Sequence, residues 1–90
     1  MKRDCGKGEL IPIKWVVVSC FGQSDDEIES KYDSLGAAQI EFNRIAKGLV
    51  NCSDVRLYAK DKQGYMNCVL SIMITLKGER FEKNRLNELY

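Results

Sequence analysis

Asp54-Val55-Arg56-Leu57-Tyr58-Ala59-Lys60, then Asp61-Lys62-Gln63-Gly64, then Tyr65 through Leu76, is the stretch on which the fold turns. Its first part alternates, with Val55, Leu57 and Ala59 on one side and Arg56, Tyr58 and Lys60 on the other. That period of two is the mark of a strand with one buried face. Asp61 and Gly64 are the residues of a type I turn closing in a glycine bulge. The second arm puts Met66, Cys68, Leu70, Ile72, Ile74 and Leu76 on one face, and Tyr65, Asn67, Val69, Ser71, Met73 and Thr75 on the other. Its length suits a central strand paired on both sides. Gly78 ends it.

Upstream of this hairpin, Ser34 stands as an N-cap before Leu35. Leu35, Ala38, Phe42, Ile45 and Leu49 recur at helical spacing and make one apolar stripe to about Lys47, with Gly48 as a natural C′ residue. Ile40 falls opposite the stripe, beside Asn43, Arg44 and Lys47. Earlier still, Ile13-Lys14-Trp15-Val16-Val17-Val18-Ser19-Cys20-Phe21 reads as a strand, because three consecutive β-branched valines disfavour a helix. Residues 22–33 read as an acidic connector. Residues 79–90, with Phe81, Leu86, Leu89 and Tyr90, read as a short helix. The expected fold is an α+β two-layer β-α-β-β domain. It has a three-stranded antiparallel sheet in the order 1-3-2, the main helix on the face of Val55, Leu57, Cys68, Leu70 and Ile72, and the short C-terminal helix. Residues 1–10 read as a flexible basic arm and 11–90 as a single domain.

Composition narrows the function. The 90 residues carry a net charge of +1, 44% hydrophobic and 30% charged residues, and no histidine. A chain this short buries a thin core with little room for a catalytic cleft. Lacking histidine, it has no His general base, no Ser–His or Cys–His pair and no His-containing zinc site. The expectation is a non-enzymatic protein with no cofactor and no metal site. Near-neutral charge argues against an electrostatically dominated nucleic-acid binder. No apolar run is long enough to span a membrane, and Asp4, Lys7 and Glu9 interrupt any signal-peptide core, so a cytoplasmic location is expected. Cys5, Cys20, Cys52 and Cys68 form no CxxC pair and read as free thiols; a Cys52–Cys68 bridge is the alternative in an oxidising compartment.

Two binding surfaces stand out. One is the acidic connector, Asp25, Asp26, Glu27 and Glu29, which with Ile40 and Arg44 on the outer helix face would dock a partner protein. The other is the open sheet face, where Arg56, Tyr58, Lys60, Lys62 and Tyr65 combine cations with rings, as in sheets that stack single-stranded bases. The connector is net negative and the hairpin net positive, which would separate the two partners. The apolar groups Val16, Val18 and Cys20 need cover on the second sheet face, either from Phe81, Leu86 and Leu89 or from a second copy in a homodimer.

Lys14-Trp15-Val16-Val17-Val18-Ser19, Tyr32-Asp33-Ser34-Leu35-Gly36-Ala37-Ala38-Gln39 and Glu41-Phe42-Asn43-Arg44 resemble short phage and prophage proteins in which a strand precedes a helix start of this kind and a hairpin follows. The resemblance spans residues 14–75, and Gly36 departs from it where such helices more often carry a charge. It implies a host-takeover or anti-CRISPR-type inhibitor that docks on a bacterial defence nucleoprotein complex in the host cytoplasm. No contact residues carry over from it.

Overall fold

The computed structural model describes residues 12–22 and 27–86. The elements are β1 (Pro12–Cys20), β2 (Ile28–Tyr32), α1 (Leu35–Ala46), β3 (Ser53–Asp61), β4 (Met66–Ile74) and β5 (Arg80–Asn84). The fold is α+β, with α1 on one face of a single antiparallel sheet of order β2-β1-β3-β4-β5. This corrects the expected three-stranded sheet of order 1-3-2 with a second helix. The expected arm at residues 1–10, and Asp25, Asp26 and Leu89, lie outside the described residues.

The first correction is β2. Ile28-Glu29-Ser30-Lys31-Tyr32 pairs with β1 from Ser19↔Ile28 to Trp15↔Tyr32. Only its two ends are apolar, because a strand paired on one side at a sheet edge needs little apolar surface and tolerates charge. By reversing the chain before α1, it makes β2-α1-β3 the crossover unit, with β1 lying between its two strands. β3 therefore runs antiparallel to β1, with Val17 opposite Leu57, and takes the central place expected for the 65–76 strand.

The second correction is β5, which replaces the expected C-terminal helix. Thr75-Leu76-Lys77-Gly78-Glu79 repeats the turn made by Asp61-Lys62-Gln63-Gly64-Tyr65. In each, the fourth-residue N–H donates to the first-residue carbonyl (Gly64 to Asp61 and Gly78 to Thr75, both 3.0 Å). The fifth-residue N–H donates to the first side chain (Tyr65 to Asp61 Oδ1 and Glu79 to Thr75 Oγ1, both 3.0 Å). Gly64 and Gly78 hold φ of 93° and 89°, which an L side chain would strain.

The third correction is a bulge in β4. Leu57 opposes Leu70 while Tyr58 opposes Cys68, which leaves Val69 extra. Val69 is buried in the core, and its carbonyl accepts from Arg85 N at 2.7 Å. The extra residue inverts the alternation, so Met66 and Cys68 move to the face of Tyr58 while Ile72 stays under α1. Cys68 is thus absent from the helix face.

Between sheet and helix lies one core: Trp15, Val17, Val55, Leu57, Ala59, Val69 and Ile72 against Ala38 and Phe42. Burying each large side chain contributes about 1.5–3 kcal/mol. Ser34 caps α1 as expected, its Oγ accepting from Ala37 N at 3.2 Å. Gly48, in contrast, keeps a negative φ, and its N–H closes on Ile45 O at 2.9 Å. The left-handed residue entering β3 is Cys52, at φ 65°, whose N–H reaches Ile74 O at 2.9 Å. Cys68 lies about 20 Å further along β4 at roughly 3.3 Å per residue, so a Cys52–Cys68 bridge is ruled out, and both are free thiols.

Candidate binding surfaces

Strand alternation sends a second set of side chains to the face away from α1. By register, β1 supplies Lys14, Val16 and Val18, and β2 supplies Glu29 and Lys31. β3 supplies Asp54, Arg56, Tyr58 and Lys60; β4 supplies Met66, Cys68, Ser71 and Met73; β5 supplies Phe81 and Lys83. No helix among the described residues covers this face. Val16 and Val18 are nonetheless buried. Each is flanked across the ladders by longer side chains: Val16 by Lys31 and Tyr58, Val18 by Glu29 and Arg56. Such stems cover apolar surface while their heads stay in water.

Arg56 is the hub of the polar part. Its Nη2 pairs with Glu27, its Nη1 donates to Tyr58 Oη at 3.0 Å, and its Nε lies 3.8 Å from Asp54 Oδ2. The guanidinium sits 5.9 Å from the Tyr58 ring centroid. Partial burial disfavours its charge, but the hydrogen bond it donates to Glu27, with Tyr58 and Asp54 behind it, outweighs this and raises its pKa. Arg56 is a fixed cation. Burial raises the Cys68 thiol, against the smaller pull of Arg56 and Arg85, so the thiol is protonated at neutral pH.

The β4–β5 half of the face is apolar. Met73 and Phe81 stand directly opposite each other and are 47% and 54% exposed. Met66 is exposed at the far end of β4, opposite Lys60. Lys83 lies opposite Ser71. Phe81 therefore lies on the second face without closing it, whereas Leu86 packs against the helix-side core.

The structure unites parts of both sequence-derived surfaces. Glu27 and Glu29 share the uncovered side with Arg56, Tyr58 and Lys60, and Glu27 is the direct partner of Arg56. Ile40 and Arg44 lie apart on α1; Ile40 is 73% exposed, and Arg44 pairs with Glu41. Lys62 is exposed in the β3–β4 turn, and Tyr65 is exposed just before β4. Asn67 opposes Ala59, a helix-face residue, so it does not sit beside Tyr58 as the unbroken alternation implied. Sequence reasoning missed Phe81 as a surface group. The Thr75–Glu79 turn was the signal that would have placed it on a strand.

On the helix side, a cleft of about 200 Å³ opens between β2 and α1, where Ile28, Ser30, Val17 and Ile45 meet the Glu41–Arg44 pair. Hydrogen bonding to Arg44 holds the Glu41 carboxyl below its ordinary pKa. Among the described residues no group of three or more His, Cys, Asp or Glu could hold a metal ion. No helix among them is long and apolar enough to cross a membrane. No protein family, curated protein or solved structure matches this chain.

Proposed function

We propose that the chain is a non-catalytic protein-binding module whose uncovered sheet face is the docking surface. The observation that carries this reading is the exposed Met73–Phe81 pair on that face. Aromatic, methionine and arginine side chains are the groups enriched at the centres of protein interfaces. Lys60 and Lys83 beside the apolar residues suit a partner surface with an acidic rim. The Arg56 network favours protein over nucleic acid: its guanidinium is engaged by Glu27 and Tyr58, and carboxylates interleave with the cations. In the form suggested by the resemblance to phage inhibitors, the partner is a bacterial defence complex met in the host cytoplasm.

The test is capture from nuclease-treated bacterial lysate with tagged protein, beside the variant carrying Met73→Ser and Phe81→Ser. The expected result is a protein complex that survives nuclease and is lost with the variant. Capture that nuclease abolishes, together with single-stranded oligonucleotide binding weakened by Tyr58→Ala, would overturn the proposal in favour of base stacking.

A further inference from the structure

We propose that β2 is a self-pairing edge, through which two copies of the chain join antiparallel across Ile28–Tyr32 with Ser30 on the two-fold axis. Among the described residues β2 pairs only with β1, so its outer side is the free edge of the described sheet. A free edge presents unpaired backbone donors and acceptors to any strand of matching pattern. The matching pattern here is its own. Directly opposed residues in an antiparallel pair share a face, so each allowed self-pairing is centred on a single residue.

Centred on Ser30, Glu29 of each copy meets Lys31 of the other, and Ile28 meets Tyr32. The two ion pairs fall on the uncovered face, and the two apolar pairs fall on the helix face beside the cleft. Small Ser30 meets itself on the axis. The neighbouring registers fail on charge. Centring on Glu29 opposes it to itself and centring on Lys31 opposes two lysines, whereas the Ser30 register meets like charge only beyond the strand ends, where Glu27 faces Asp33 and each is already held by a cation of its own chain. Like charges directly opposite are destabilising.

The charges within the chain point the same way. Glu27 and Asp33, which flank the strand, each hold a cation of their own chain, Arg56 and Lys14. Glu29 and Lys31, between them, are both exposed and have no ion-pair partner among the described residues. Ile28 is 59% exposed at the strand end. The opposite edge, β5, can also oppose Arg80 to Glu82 by centring on Phe81, but those two charges already pair within their own strand. Of the two edges, only β2 has charges without an ion-pair partner among the described residues for a second copy to meet.

Sedimentation velocity between about 10 µM and 1 mM protein tests this, a range suited to a small interface. Wild type is expected to show reversible monomer–dimer exchange. Lys31→Glu and Glu29→Lys should each weaken the dimer about tenfold or more, and the two together should restore it to within about threefold, because the swap remakes both ion pairs. Ser30→Cys should give, on oxidation, a covalent dimer linked through the substituted position. A monomer across the whole range, single variants that dimerise like wild type, or a double variant with intact circular dichroism and no recovery would each overturn the proposal.

Discussion

Val55, Leu57 and Ala59 on β3 point toward α1 and are fully buried, whereas Arg56 and Tyr58, one step along the same strand, point away and stay partly exposed. The two sets share one backbone and one ladder. They differ in what lies over them. On the covered side Phe42 and Ala38 complete a packed core. On the other side the apolar groups divide: Val16 and Val18 are shielded between long cross-strand neighbours, while Met73 and Phe81 stand open. The packed core is thus concentrated on one face, and the other leaves Met73 and Phe81 exposed. Substitutions on the two faces should separate accordingly.

The largest loss is expected on the covered face. Phe42→Ala removes the ring that seats α1 and should cost about 3–5 kcal/mol, read by urea unfolding. Arg56→Met breaks the polar hub of the other face without leaving a large cavity. It strands Glu27 and the partly buried Asp54, and should cost about 1–3 kcal/mol in the same assay. Ser34→Ala, which removes the helix cap, should cost about 1 kcal/mol. The double substitution Met73→Ser and Phe81→Ser should change stability by only about 0.5 kcal/mol, because neither side chain is buried. A loss there as large as that for Phe42→Ala would break the distinction between the faces.

The smallest effect concerns pH. Glu41 is held below its ordinary pKa by Arg44. Its stabilisation is therefore present above the unfolded carboxylate value and lost as pH falls through the lower folded value. Thermal melts should show a slight decline below about pH 4 that Glu41→Gln removes.

How far the molecule was legible in the sequence depended on whether the signal was local. The alternation at Val55–Lys60, the Asp61–Gly64 turn and the stripe from Leu35 to Ile45 are each set within a few residues, and each stands in the structure. β2 was not legible as a strand because an edge strand needs few apolar residues, and Ile28 and Tyr32 are separated by a charged stretch. β5 was hidden because Phe81 and Leu86 can be spaced as a helix as easily as they can flank a strand end. The Val69 bulge lies inside a nearly continuous apolar run, where a one-residue slip leaves no mark. On the candidate surface, Arg56, Tyr58, Lys60 and Met73 were placed outward by alternation alone. The opposition of Met73 to Phe81, and the pairing of Arg56 with Glu27 across 29 residues of chain, arise only from tertiary register.

The most direct measurement compares one variant from each face for capture of the same nuclease-resistant partner, at a temperature where both are folded by circular dichroism. Leu57→Val, on the covered face, should lower the melting temperature and capture the partner as wild type does. Met73→Ser with Phe81→Ser should melt like wild type and capture nothing. If the second variant captured the partner undiminished, the uncovered face would not be the docking surface and the account would be wrong.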